Sequence, residues 1–512
     1  MFLDRIVTQT RLDLEQRKTE VTLAEMMQRA ASQPPPRDLF AFIKPGATGR
    51  WTGGHQGRPY DTSIQLIAEV KRASPSKGLL APDLDPVALA RTYEAHGAAM
   101  ISVLTEPHFF LGKPEYLTAI KAAVQVPVLC KDFIIDAYQV YEARAWGADV
   151  ILLICAILDD EQLRRLLEVA HSLRMHCLVE VHNADEARRA VAAGAMCIGV
   201  NSRDLATFNM NPYLMRELRP LIPRDRVVVA ESGIHNAADA RRLARYDIQA
   251  MLVGESLVKA DDVPGQMQTL LRGANNSSQV KICGLRAEEH LNVAIEAGAD
   301  LLGLVFYPPS HRYIRPEQAR SLLDSNVHFS TTNSEAAPDL VGVFVNEDVA
   351  FINDIAEQVG LQFVQLHGDE PPEFCAQIKR PVIKALRLQN SADMGLVNAY
   401  REAAWRVMLD TPTPQWGGTG ETHDWQLARE IARTTPIILA GGLTPENVAE
   451  AMRQIHPWGI DVSSGVETNK QKDVAKIRAF VEHVRNVHHI SENHFPDTID
   501  GVRKMVLRKY KI

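Results

Sequence analysis

LRGANNSSQV, residues 271–280, is a short polar stretch rich in Gly, Asn and Ser near the middle of a 512-residue chain. That composition reads as a connection, not as an element. Its neighbours decide the fold, because one pattern runs up to it and starts again after it. From residue 64, eight apolar runs occur: IQLIAEVK, AMISVLTE, VPVLCKDF, ADVILLI, HCLVEV, CIGVNSRD, VVVAESG and AMLVGES. Eight more follow it: VKICG, LLGLVF, DLVGVFV, FVQLHG, PVIKAL, RVMLDT, PIILAGG and GIDVSSG. The segments between, such as DPVALARTYEAHGA and DDEQLRRLLEVAHSLRM, repeat apolar residues at three and four and open on Asp or Pro, as helix N-termini do. Strands buried on both faces and separated by helices are parallel β/α units. Eight successive units without a dinucleotide-binding glycine fingerprint predict a closed barrel. The chain therefore reads as α/β, with two (β/α)8 TIM barrels in tandem.

The boundaries that follow are 1–270 for the first barrel, 271–280 for a linker, 281–487 for the second barrel and 488–512 for a tail without assigned role. Within the first, LDRIVTQTRLDLEQRK and LAEMMQRAA predict helices ahead of the barrel, and the Pro/Gly-rich 34–58 a connection. In the second, NVHFSTTNSEAAP at 326–338 predicts a surface loop. The basic residues of the tail, Arg503, Lys504, Arg508, Lys509 and Lys511, fit a solvated end.

Composition narrows the function. Lys plus Arg number 56 against 63 Asp plus Glu, a net charge of −7 mixed along the chain. This argues against a general nucleic-acid or anionic-membrane surface, so an anionic ligand must be caught by local groups. Cys130, Cys155, Cys177, Cys197, Cys283 and Cys375 lie mostly in apolar runs and form no CxxC pair, which suggests neither disulfides nor a zinc site. MFLDRIVTQTRLDLEQRK has no uninterrupted apolar core, and no run of about 18 apolar residues occurs. A soluble, cytoplasmic protein is expected, with no membrane contact, no metal and no cofactor.

In this architecture function collects at the C-terminal ends of strands. The first half places Glu69 and Lys71 at strand 1, Lys131 at strand 3, Glu180 at strand 5, and Asn201 and Arg203 at strand 6. Glu231, Ser232 and Gly233 end strand 7, and Gly254 and Ser256 strand 8. Each alone fits a salt bridge or a cap; six strand ends converging on one mouth argue for a site. The turns ESGI and VGES have the make-up of a phosphate site, with Ser74 and Ser76 closing it from strand 1, because glycine lets backbone N–H groups approach an oxyanion.

Together IAEVKRASPSKG, VLCKDFIID, LVEVH, GVNSRDL and VAESGI resemble indole-3-glycerol phosphate synthase, in family order across residues 1–270. The resemblance implies conversion of carboxyphenylamino-deoxyribulose 5-phosphate to indole-3-glycerol phosphate, with loss of CO2 and water. It gives Lys131 the general acid, Glu180 the base of dehydration, and Lys71 a substrate carboxylate and proton transfer. Asn201 and Glu69 would orient polar groups, Phe133 would contact the aromatic ring, and Ser232, Gly233 and Gly254 would hold phosphate. A free lysine has a pKa of about 10.4, so burial or a neighbouring cation such as Lys71 is expected to lower that of Lys131.

In the second half VKICGLR, FYPPSHRYI, VGVFVN, VQLHGDE, VMLDT, GGTGETHDW, LAGGLTPENV and IDVSSGVE resemble phosphoribosylanthranilate isomerase over 279–486. The resemblance implies an Amadori rearrangement with Cys283 as general base and Asp410 as general acid, and the site is expected to favour the Cys283 thiolate. Arg312 would meet the anthranilate carboxylate. Gly418, Gly420, Gly441, Gly442, Ser463 and Ser464 read as phosphate-loop positions, and His367 either lines the pocket or caps its strand. Cys375, in PPEFCAQIKR, is expected to be structural. The isomerase product is the synthase substrate, so the ligands would be phosphorylated anthranilate derivatives, handled by a monomer. Another sugar-phosphate isomerisation would call for two aspartates instead of Cys283 and Asp410. A pure metabolite sensor would not need proton-transfer groups.

Overall fold

The computed structural model describes residues 2–44, 63–205, 207–275, 278–326, 337–388, 394–410 and 425–490. The sixteen apolar runs form two closed, parallel barrels. The first comprises β1 (Gln65–Val70), β2 (Ala98–Leu104), β3 (Val128–Lys131), β4 (Val150–Ile154), β5 (His176–Val181), β6 (Cys197–Asn201), β7 (Val227–Glu231) and β8 (Ala250–Val253), and it closes with Gln65 opposite Ala250. The second comprises β9 (Gln279–Cys283), β10 (Leu301–Val305), β11 (Asp339–Phe344), β12 (Phe363–Leu366), β13 (Val382–Leu386), β14 (Arg406–Leu409), β15 (Ile437–Leu439) and β16 (Gly459–Val462), closing with Gln279 opposite Gly459. The strands are Val-, Ile- and Leu-rich because helices cover the outside while side chains fill the inside, leaving no face in water.

Helix starts follow the acids seen in the sequence. Asp85 accepts from Val87 N and Ala88 N at 3.0 Å each at the head of Pro86–Ala95, and Asp159 forms a reciprocal capping box with Gln162. Ahead of the first barrel, α1 (Phe2–Glu20) and α2 (Leu23–Ala31) are tied down locally. Leu14 and Met26 pack with Tyr138 of the helix Ala137–Ala145, and Arg17 Nε meets Glu142 at 2.9 Å.

The presumed linker is a correction. Residues 271–275 complete the helix Val263–Asn275, and Gln279–Val280 already belong to β9. Gly273 looks like a breaker but is a point of close approach: a Cβ there would stand 2.5 Å from Ala237 O. Asn275 is likewise no turn residue. Its Oδ1 accepts from Ile64 N at 2.6 Å and its Nδ2 donates to Ile64 O at 2.9 Å, fastening the last helix to the start of β1. The chain divides into two compact units between Asn276 and Ser277. The final helix runs Val474–Ile490, past residue 487; the tail from 491, most of the loop at 326–338 and residues 45–58 of the connection lie outside the described residues. Among the described residues no helix is long and apolar enough to cross a membrane.

Candidate active sites at the two barrel mouths

Parallel strands whose inward residues alternate bring side chains two apart to the same face. In the first barrel this sets Glu69 with Lys71, Glu180 with His182, and Asn201 with Arg203. Lys71 Nζ meets Glu69 Oε1 at 2.6 Å, and Ser102 Oγ on β2 lies 3.5 Å from Glu69 Oε2. Lys131, at the end of β3, places Nζ 3.0 Å from Glu180 Oε2 and 2.8 Å from Glu231 Oε2. Glu180 is also 3.2 Å from His182 Nε2, while His182 Nδ1 meets Glu186 at 3.2 Å. Glu231 Oε1 is buried without a hydrogen-bond partner.

The electrostatics differ from the expectation for Lys131. Burial would lower its pKa, but Glu180, Glu231 and Glu69 reverse that and hold the ammonium well above its ordinary range. Lys71, expected to repel it, is instead paired with Glu69. The two carboxylates sharing Lys131 are driven apart. Burial pushes Glu231 up, Lys131 only partly countering it, to about 7. Glu180 is held low against burial by Lys131 and His182. Burial would also lower His182, but its bonds to Glu180 and Glu186 raise it to about 10.

Around these charges, Asn201 Oδ1 accepts from Ser232 Oγ at 2.8 Å and from Arg203 N at 3.1 Å. Ser232 and Gly233 are consecutive left-handed residues, φ 66 and 70, so β7 ends in a sharp turn that a β-branched residue would not tolerate. Gly254 is a close approach, since a Cβ would meet Glu69 Oε1 at 2.4 Å and Lys71 Nζ at 3.1 Å. Phe133 is buried, with its ring 6.1 Å from that of Phe110. Ser74 is buried in a two-residue hairpin (Ala73–Ser74 with Gly78–Leu79) with its hydroxyl unpartnered, whereas Ser256 Oγ is spent on Ile234 O at 2.9 Å.

In the second barrel, Cys283 ends β9 with Lys281 two residues before it. Lys281 Nζ meets Asp461 Oδ1 at 2.8 Å, with Lys281 wholly buried. Burial pushes the Cys283 thiol up, and Asp461 adds to this; Lys281 and Lys472 oppose it without reversing it. These surroundings therefore favour the thiol, against the expected thiolate. Asp410, just past β14, lies 3.0 Å from His367 Nε2, and His367 Nδ1 lies 2.8 Å from Gln365 Nε2. His367 thus bridges Gln365 of its own strand and Asp410 at the end of β14.

Arg312 does not stand open. Its Nε and Nη2 meet Glu467 Oε1 and Oε2 at 2.7 and 2.8 Å, and Lys472 Nζ meets the same Oε1 at 2.9 Å. Burial opposes ionisation of Glu467, but these two cations hold it down at about 2. Gly441 and Gly442 are left-handed, φ 82 and 64, at the end of β15. Ser463 Oγ donates to Cys283 O at 3.2 Å, and Ser464 starts a short 3-10 turn. Gly418 and Gly420 lie outside the described residues. Cys375 is buried in Pro372–Cys375, a short helix away from these groups. His182, Lys281, Asp461, Glu467 and Lys472 were not singled out from sequence. His182 stands two after Glu180 and Lys281 two before Cys283, while Asp461 and Glu467 lie inside IDVSSGVE; Lys472, beyond that motif, carries no such signal.

Two closed barrels, each with charged groups gathered at the carboxyl ends of its strands, define a tandem TIM-barrel protein with a separate mouth in each unit. Residues 3–270 match the family model of indole-3-glycerol phosphate synthase, and residues 280–483 that of N-(5'-phosphoribosyl)anthranilate (PRA) isomerase. The chain belongs to the indole-3-glycerol phosphate synthase family and, with its second domain, to the two-domain tryptophan biosynthesis proteins. It is 37% identical to the tryptophan biosynthesis protein TrpCF of Yersinia pestis, over 82% of this chain and 84% of that one. It is 36% identical to the multifunctional tryptophan biosynthesis protein of Phycomyces blakesleeanus, over 83% of this chain and 63% of the relative. The chain thus spans less than two thirds of that longer protein. The crystal structure of phosphoribosyl anthranilate isomerase from Thermotoga maritima is 42% identical, covering 41% of this chain and 99% of its own, with a TM-score of 0.37.

Proposed function

We propose that the chain catalyses two consecutive steps of tryptophan biosynthesis. The second barrel converts N-(5-phosphoribosyl)anthranilate to 1-(2-carboxyphenylamino)-1-deoxyribulose 5-phosphate, and the first closes that product to indole-3-glycerol phosphate. The observation that carries this reading is that each mouth holds its own acid–base set, Lys131 with Glu180 in one and Cys283 with Asp410 in the other. Both sets lie at the carboxyl ends of barrel strands, within the residues matched by the two family models. Each set comes from one unit of one chain, so a monomer suffices.

In the isomerase mouth, Asp410 protonates the ribose ring oxygen and the C1–O bond opens to an iminium. Cys283 then takes the proton from C2, and the enolamine becomes the ketose. Asp410 must carry a proton and Cys283 must lose one, and His367 is the group within reach to orient the acid. Arg312, once released from Glu467, meets the substrate carboxylate. Gly441, Gly442, Ser463 and Ser464 line the turns that would take the phosphate.

In the synthase mouth, Lys131 is fully protonated and donates as the ring closes and CO2 leaves. Its ammonium must exchange Glu180 and Glu231 for substrate oxygen in the process. Glu180, held ionised, is the acceptor for the proton lost in dehydration. Lys71 and Glu69 flank the carboxylate position, and Ser232, Gly233 and Gly254 the phosphate. The deciding experiment supplies the purified chain with phosphoribosylanthranilate and follows indole-3-glycerol phosphate. Its formation without added enzyme supports both assignments. Accumulation of the ketose alone would remove the synthase half; no consumption would remove the isomerase half, and the ketose supplied directly then tests the other.

A further inference from the structure

Cys283 shares its face of β9 with Lys281, since residues two apart on a strand point to the same side. Lys281 is wholly buried, a costly place for an ammonium unless it is paired. Its Nζ donates at 2.8 Å to Oδ1 of Asp461, its register partner on β16, and the Cys283 sulfur lies close enough for the two to act on each other electrostatically. On the other side, β10 places Gly303 opposite Cys283. A Cβ there would stand 2.8 Å from Cys283 Sγ and 3.1 Å from Lys281 Nζ, so the missing side chain leaves sulfur and ammonium in one space. Cys283 clusters with Val305 of β10, Val343 of β11 and Tyr307 just past β10; Lys472, following β16, acts on it electrostatically, and the Arg312 side chain lies against Gly284.

A lysine serving only an ion pair has its counter-ion in Asp461 and no need of the sulfur. We propose that Lys281 is a positioning residue for isomerisation, the counter-ion of the Cys283 thiolate, with Asp461 and the sulfur competing for the same ammonium. This rests on Cys283 being the base. Substrate binding can then raise the thiolate population by turning Lys281 from carboxylate to sulfur, without admitting water. The idea separates cleanly from a structural ion pair. Lys281→Met and Asp461→Asn both break such a pair, yet they act oppositely on the sulfur.

The test is the pH dependence of iodoacetamide alkylation at Cys283 in the full chain, read by mass spectrometry of its peptide. Asp461→Asn is expected to lower the midpoint and Lys281→Met to raise it, each by about one unit, a tenfold change in thiolate at fixed pH. Should Lys281→Met fail to fold with Asp461 left unpaired, the Lys281→Met/Asp461→Asn double variant removes both charges, and its midpoint is expected above wild type. Shifts of the two single variants in the same direction, or a double variant at or below wild type, overturn the proposal. The acid limb of isomerase kcat/KM is measured alongside. If the alkylation midpoints move as expected while that limb stays fixed, Lys281 is the counter-ion and the reading of Cys283 as base is the part that fails.

Discussion

Lys131 divides its ammonium between two buried carboxylates, and a substrate that it protonates must take it from both. Lys131→Ala is therefore expected to lower synthase turnover by about a hundred- to ten-thousandfold, the range for a positioned acid or base, and to spare isomerisation. Cys283→Ser and Asp410→Asn should do the reverse, since a hydroxyl is a far weaker base and an amide cannot donate the carboxyl proton. Separate assays of the two steps check both; loss of both activities in any one variant would point to misfolding instead. His182 carries a pH signature. The folded imidazole keeps its proton to about 10, whereas an unfolded one releases it near 6.5. Between those values the folded state binds the extra proton, so this contribution is full below pH 6.5 and fades as pH rises. Urea unfolding of wild type and His182→Asn should show the gap between them largest near pH 6 and smallest near pH 10; a constant gap would contradict it. The strand-end charges were legible in sequence because they interrupt apolar runs. Their pairings were not, because Glu231 reaches Lys131 across a hundred residues and Glu467 reaches Arg312 across more.

Strands and helices were the most legible level, since burial on both faces leaves long apolar runs and Asp caps mark helix starts. The helix Val263–Asn275 shows where that reading stops. Gly273, Asn275 and Asn276 have breaker and turn chemistry, yet tertiary contacts put Gly273 against the Ala237 backbone and Asn275 on Ile64. A Gly→Ala change gains up to about 1 kcal/mol in an open helix. Here the added methyl would face backbone 2.5–2.9 Å away, which cannot rotate aside. Overpacking of this kind costs about 1–3 kcal/mol. Gly273→Ala is thus expected to destabilise the first barrel and not the second. Heat inactivation of the full chain, followed by the two activities, should show the synthase step lost earlier than in wild type while the isomerase step is unmoved.

At the scale of the molecule, each unit has its own closed sheet and its own core, and the acid, base and phosphate-facing groups proposed for each reaction come from one unit. Closed barrels expose no sheet edge for a partner to cover. Cutting the chain between Asn276 and Ser277, and not at Gly273, keeps Asn275 with the strand it fastens. Residues 1–276 and 277–512, made separately, are each expected to catalyse one step. A fragment that is folded but inactive until the other is added would show that the mouths share residues.

Asn275 clasps Ile64 at one side of the first barrel, and in the second Arg485 of the final helix donates to Ser278 O at 2.8 Å beside β9. In each barrel the entry to the first strand and the last helix are therefore side by side. A module built this way can be lifted from one gene and set into another without stretching its backbone.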